Sequence, residues 1–146
     1  MAKTEILTLK SYLATIRKSP GTRMFQDFYI RIKGKEKNAT EGGKTSCASF
    51  LSSVLLKFGL IKEGHLTITG ALEDMKESGW REIKELKPGA ILLWEKKGEH
   101  KHLGFYLGGE KAVSNSEKRK EPVIHHYNYQ GKRKIEKIFW NDKLKD

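Results

Sequence analysis

The chain has 146 residues and a formal net charge of +11, with 29 lysines and arginines against 18 aspartates and glutamates. This length predicts one domain, residues 1–146, with enough chain to bury a hydrophobic core. The single cysteine excludes an internal disulfide and a cysteine-based zinc site, and no apolar run is long enough to span a membrane. Because the start lacks an apolar signal region, we expect a protein that is cytoplasmic as synthesised.

The positive charge is spread along the chain, and it is dense only at residues 118–120 and 132–134. Such charge favours attraction to anionic polymers, whether nucleic acid or a teichoic-acid-bearing wall, and to anionic membrane surfaces. Neither cluster is interleaved with aromatic residues, as a base-stacking surface would be. A solvated basic surface is therefore the simplest interpretation of these clusters.

The N-terminal part of the chain is predicted to begin with a helix. Apolar residues recur there at helical spacing, at Ile6, Leu9, Leu13 and Ile16. This helix should end before residues 19–21, which read Ser-Pro-Gly. Residues 25–32 fit both the helical and the strand period, so their type stays open. The polar, glycine-rich residues 33–44 are predicted to form a loop.

The only cysteine, Cys47, is predicted to begin the next helix. Apolar residues follow it at helical spacing, at Leu51, Val54, Leu55 and Phe58. Thr45 and Ser46 are candidate N-caps, and Gly59 should end the helix. Unpaired N–H groups and the positive end of the helix dipole would favour the thiolate of a cysteine placed there. The alternative is a small buried core residue.

The second half of the chain changes from helix to strand. Thr69 is predicted to cap a short helix that ends at residues 78–79. About five strands are then predicted, at residues 90–94, 102–107, 112–115, 123–127 and 134–140. Helices followed by a meander of strands predict an α+β domain whose sheet is mostly antiparallel.

Side-chain alternation along the second of these strands suggests chemistry. His102, Gly104 and Tyr106 share one face of the strand. If the Cys47 helix packs on that face, the missing side chain of Gly104 allows a close approach. His102 could then accept the thiol proton and form the thiolate–imidazolium pair of nucleophilic catalysis.

Three short motifs resemble the NlpC/P60 cysteine peptidases and their CHAP relatives. They are Cys47-Ala48-Ser49-Phe50 at the start of a helix, the segment Leu86–Trp94 with its Pro-Gly turn, and the segment His102–Gly108. The resemblance covers roughly residues 45–116. It implies a papain-like NlpC/P60 fold with N-terminal helices packed on the sheet, with Cys47 as nucleophile and His102 as general base. The family commonly has an aspartate where this chain has Ser46.

The same resemblance implies a third residue that orients the imidazole, on the strand after Gly108. Side-chain chemistry favours Asn115, because its amide oxygen is a good acceptor, while family spacing points to Ser114. Tyr106, on the His102 face, and Ser46, beside the nucleophile, are predicted to contact substrate.

Metal binding is a weaker interpretation of the histidines. His100 and His102 alternate onto one face, which makes a histidine site conceivable, but no acidic ligands accompany them in a fixed pattern. We therefore predict neither a metal nor another cofactor.

The sequence predicts a cysteine hydrolase that cleaves an amide or peptide bond through an acyl-enzyme, with backbone N–H groups at the helix start as oxyanion hole. The resemblance implies peptidoglycan stem peptides or their cross-bridge as substrate. The lack of an apolar signal region fits a phage-encoded or otherwise exported lysin, or a cytoplasmic enzyme that acts on recycled wall peptides or another amide. Two alternatives stay open. One is a deamidase or acyltransferase that uses the same Cys-His site, and the other is a non-catalytic basic module that binds nucleic acid or another anionic polymer.

Overall fold

The computed structural model describes residues 2–146. Its three α-helices are α1 (Thr8–Lys18), α2 (Cys47–Lys57) and α3 (Ile68–Glu77), and a short 3-10 turn, Glu41–Gly43, precedes α2. Its strands are β1 (Tyr29–Ile32), β2 (Lys35–Asn38), β3 (Trp80–Ile83), β4 (Ile91–Lys97), β5 (His100–Gly108), β6 (Lys111–Ser116), β7 (Glu121–His126) and β8 (Ile135–Asn141).

The strands form two sheets. β1 and β2 make a separate hairpin, and the other six strands form one sheet in the order β3-β8-β4-β5-β6-β7. Every strand pairing in residues 2–146 is antiparallel. The prediction of an α+β chain with a mostly antiparallel sheet is confirmed. The main sheet has one strand more than expected, because β3 pairs with β8 at its edge.

Two local predictions were wrong for residues that carry little apolar signal. Residues 35–38, predicted as loop, form β2, which pairs with β1 across a turn at Lys33 and Gly34. Both turn residues have positive φ, 50° and 77°, as a two-residue hairpin turn requires. In addition, the side chain of Thr67, not Thr69, caps α3 by accepting a hydrogen bond from the Gly70 N–H.

One face of the main sheet is covered by helices. Tyr12 and Ile16 of α1 are completely buried there, and the Tyr12 hydroxyl donates to the Gly89 carbonyl at 2.7 Å. The apolar residues of α2 pack on the same face of β5 and β6, in a cluster that includes Phe50, Leu51, Leu55, Leu103, Phe105 and Val113. Burial of each large apolar side chain contributes about 2 kcal/mol. This packing fixes α2 across β5 and β6.

The opposite face of the sheet has a smaller apolar cluster, formed by Leu92, Trp94 and Ala112. Partly buried tyrosines at positions 106, 127 and 129 pack against it, and the Trp94 indole N–H donates to the Tyr127 carbonyl at 2.7 Å. The segment between β7 and β8 therefore covers this face, where the helices are absent.

Candidate active site

Cys47 is the first residue of α2, as predicted, but the predicted caps do not cap the helix. Ser46 occupies the N-cap position, and its hydroxyl donates to the Phe25 carbonyl at 2.6 Å instead. The Thr45 hydroxyl donates to the Ala39 carbonyl at 3.2 Å. Because no side-chain cap forms, the N–H groups of the first turn stay available to a ligand at the positive end of the helix dipole.

A cavity of about 1050 Å³ opens beside this helix end. At this end of the sheet, the last paired residues of β5 and β6 are Phe105 and Val113. His102 and Asn115 lie beyond this pair, at the edge of the cavity. The side chains that line the cavity and matter for its chemistry are Cys47, His102, Ser114, Asn115, Tyr129 and Arg133. The cavity thus brings together the predicted nucleophile, the predicted base and both candidates for the third residue.

His102 does not face α2, so the predicted route to a Cys-His pair was wrong. Its ring stacks on Trp94, with centroids 5.3 Å apart and planes 27° from parallel, on the sheet face opposite the helices. A side chain at position 104 would project onto this same face. A Cβ built there would lie 2.7 Å from the Ser114 Cβ and 2.9 Å from Trp94 Cη2. The glycine therefore makes room for the tryptophan behind His102 and not for the helix.

The electrostatics favour a thiol over the thiolate predicted from the sequence. Cys47 is half-buried. Burial raises the pKa of its thiol, while the backbone N–H groups of Leu103 and Ala48 and the charge of Arg133 lower the pKa by less. Leu103 of β5, the start of α2 and Arg133 together offset the effect of burial only in part, so the sulfur carries its proton at neutral pH.

His102 is also neutral at rest. Its ring keeps some exposed surface toward the cavity but is enclosed by protein on most sides. Burial lowers the pKa of His102 to about 3, and the charges of Arg133 and His125 act in the same direction. Among the described residues no hydrogen bond joins the ring to Cys47, so two uncharged groups line one cavity without a bond between them.

In the described part of the chain, neither Asn115 nor Ser114 forms a hydrogen bond with the His102 ring. The Asn115 amide nitrogen donates to the Gly43 carbonyl at 2.8 Å, which turns the side chain toward the loop before α2. Its Oδ1 atom is buried and has no hydrogen-bond partner in the described part of the chain. The side chain is therefore held by the loop before α2 and does not orient the His102 ring.

Ser114 belongs to a second polar group that sequence reasoning missed. Its Oγ lies 2.7 Å from His125 Nε2 and 3.3 Å from the Tyr129 hydroxyl. His125 Nδ1 lies 2.8 Å from the His126 carbonyl oxygen, which only accepts, so the proton sits on Nδ1 and Ser114 donates to Nε2. Tyr129 stacks on His125 with centroids 4.3 Å apart. Of this group, Ser114 and Tyr129 line the cavity, and nothing in the sequence marked Tyr129.

Tyr106 and Ser46, the predicted substrate contacts, lie outside the cavity lining. Tyr106 is on the His102 face, as alternation predicted, but its ring packs edge-on against Tyr127, with centroids 6.1 Å apart. Ser46 is completely buried, and its hydroxyl is used by the Phe25 carbonyl. Their substrate-binding roles gain no support from these positions.

In comparisons with known proteins, no family model matches this chain and no curated protein sequence matches it. The likeness to NlpC/P60 peptidases therefore depends on the three sequence motifs alone.

Two further observations concern metal binding and membrane-spanning helices. Within residues 2–146, histidine, cysteine and acidic side chains form no group of three that could hold a metal ion. His100 is exposed at the start of β5, and His125 is engaged with Ser114. No helix in this part of the chain is long and apolar enough to cross a membrane.

Proposed function

We propose that this chain is a cysteine hydrolase that cleaves an amide bond, with Cys47 as nucleophile and His102 as general base. The observation that carries the proposal is that both side chains line one cavity of about 1050 Å³ at the uncapped start of α2. The papain-like arrangement implied by the NlpC/P60 resemblance belongs to the same proposal. The order of the motifs along the chain, cysteine before histidine, supports it.

The reaction starts from an uncharged pair. As the Cys47 sulfur attacks the substrate carbonyl carbon, the thiol proton moves to a ring nitrogen of His102. The negative oxygen is stabilised by backbone N–H groups of the first turn of α2, including those of Cys47 and Ala48. When the tetrahedral species collapses, the departing amine takes the proton from His102 and a thioester remains on Cys47. Water, deprotonated by His102, then hydrolyses the thioester and restores the thiol.

The substrate we propose is a peptidoglycan stem peptide or its cross-bridge, as the resemblance implies. The net charge of +11 would help the protein approach an anionic wall.

Digestion of purified sacculi and synthetic stem peptides tests this proposal, with new amines and product masses as readouts. We expect Cys47→Ser to lose at least about 1000-fold in rate, because the nucleophile is removed. His102→Ala should lose at least about 100-fold, the usual contribution of a general base. Lys137→Ala changes an exposed residue of β8 outside the cavity lining, and this control should stay within about threefold of wild type. A wild-type protein that alkylates at Cys47 but releases no amine from any wall substrate would contradict the proposal.

A second candidate is a non-catalytic module that binds an anionic polymer. It is favoured by the raised pKa of the Cys47 thiol and by the lack of a hydrogen bond from His102 to the sulfur in the described residues. Salt-sensitive binding of a nucleic acid or teichoic-acid probe that is unchanged by Cys47→Ser, together with no cleavage, would favour this function.

A further inference from the structure

Arg133 lies in the wall of the cavity that holds Cys47, although in the sequence it is only the middle residue of the basic run 132–134. Its Nε donates to the Glu95 carbonyl at 3.0 Å, and its Nη2 donates to the His100 carbonyl at 3.0 Å. These two bonds fix the guanidinium against the β4–β5 hairpin. Lys132 and Lys134 are exposed and do not line the cavity.

The charge of this guanidinium is not neutralised by the protein. Arg133 is half-buried and forms no ion pair with any residue between 2 and 146. The remaining charged residues of the lining are Lys44, Lys96, Lys97, Lys101 and Lys118, with Glu99 and Glu117 as the acids. Of these lysines, Lys101 is paired with Glu136 at 2.7 Å. The cavity wall therefore has an excess of positive charge.

The field of Arg133 reaches the reacting groups. Its charge lowers the pKa of the Cys47 thiol, against the effect of burial, and lowers the pKa of the His102 ring in the same direction as burial. A fixed guanidinium close to a nucleophile, with free donors and no carboxylate partner, is suited to bind a carboxylate or similar oxyanion from a ligand.

We propose that Arg133 binds a carboxylate of the amide substrate, so that the site prefers peptides with an acidic group next to the scissile bond over neutral ones. This inference rests on the proposed cysteine hydrolase for the identity of the substrate. The preference itself is a property of the cavity and is measurable without turnover.

Two alkylating probes that differ in charge measure this preference. The Cys47 sulfur displaces iodide from both iodoacetate, which is anionic, and iodoacetamide, which is neutral, and this chain has no other cysteine. The ratio of the two rates, divided by the same ratio for glutathione, isolates the effect of the site. Iodoacetamide also reports whether the thiol of each variant is still accessible.

We expect the normalised ratio in wild type to favour iodoacetate by about tenfold at low ionic strength and to fall as salt is added. Arg133→Gln should lower the ratio at least about fivefold, and Arg133→Lys should keep part of the preference, because the charge remains while the planar fork is lost. Lys132→Gln removes the same charge from the neighbouring exposed position, and it should leave the ratio within about twofold of wild type.

The outcomes separate this inference from the proposed function. An unchanged ratio in Arg133→Gln, or an equal fall in Lys132→Gln, overturns the assignment of Arg133 even if wall peptides are cleaved. A fall specific to Arg133→Gln supports the anionic preference even if no amide is cleaved. Where turnover occurs, Arg133→Gln should raise KM about tenfold for a stem peptide with a free carboxylate and leave KM unchanged for its amidated counterpart.

Discussion

Replacement of Gly104 by alanine tests how the site is built. The added Cβ would lie 2.7 Å from the Ser114 Cβ, 2.8 Å from the Val113 carbonyl oxygen and 2.9 Å from Trp94 Cη2. Contacts this short require neighbours to move, and one of the three is backbone. We expect a loss of about 2–3 kcal/mol in the free energy of unfolding, the usual range for overpacking of a tight core.

Urea and thermal unfolding measure this loss, which corresponds to a fall of about 8 °C in Tm for a chain of this size. Gly64→Ala is the matched control, because nothing lies within 4 Å of a Cβ at Gly64. It should change the free energy of unfolding by less than about 0.5 kcal/mol. In a Trp94→Phe background, which removes Cη2, Gly104→Ala should cost about 1 kcal/mol less. If Gly104→Ala and Gly64→Ala prove equally stable, the assignment of Gly104 to the Trp94 face is refuted.

Three further predictions follow from the titrating groups. The rate of Cys47 alkylation by iodoacetamide should rise with an apparent pKa above that of a free thiol, since burial raises it; a midpoint below the free thiol would contradict the electrostatics of the cavity. Burial lowers the pKa of His102 to about 3, so His102 should stay unprotonated, and kcat/KM for an amide substrate should not fall through its protonation, as pH drops from about 7 to about 4. A fall in kcat/KM near the ordinary pKa of histidine would contradict this, because it would show that the ring is solvated. Burial alone would raise the pKa of Asp74, but hydrogen bonds from His65 and from neighbouring groups lower it to about 2, so its stabilising effect is present above the carboxyl's unfolded pKa and is lost as pH falls toward 2. Asp74→Asn should therefore lower the free energy of unfolding by about 2 kcal/mol at neutral pH, and the unfolding midpoint of the variant should change less with pH in acid than that of wild type. If the variant loses stability in acid as steeply as wild type, Asp74 is not the group responsible.

The elements that local patterns define were predictable from the sequence. The apolar spacing after Cys47 and the Pro-Gly turn at residues 88–89 depend only on nearby residues, and α2 and β4 lie where these patterns predict. By contrast, β2 and β3 have four residues each and little apolar alternation, so nothing local distinguished them from loops.

The face on which the helix packs was not predictable. Side-chain alternation along β5 predicted which of its residues share a face. Both faces of the main sheet carry apolar residues, however, and each has its own apolar cluster. Leu103 and Phe105 meet α2, and His102 meets Trp94. Which set faces the helix depends on the packing of the whole sheet, which a single strand does not encode.

The remaining misses concern partners that are distant in sequence. Ser46 looked like a cap because local rules favour serine there, yet its hydroxyl bonds the Phe25 carbonyl. Arg133 could not be told from Lys132 and Lys134, because only the β4–β5 hairpin carbonyls single it out. Sequence reasoning thus named Cys47 and His102, which both line the cavity, and missed Tyr129 and Arg133, which line it with them.

The measurement that tests the central claim most directly is a search for the acyl-enzyme. Wild-type protein is mixed with stem peptide, quenched in acid at short times and examined by intact mass, and the adduct is then mapped to a residue. The account predicts a thioester on Cys47 that appears before free product, accumulates when hydrolysis is slow and is absent from Cys47→Ser. Product formation without an adduct at Cys47, or equal product from Cys47→Ser, would contradict it.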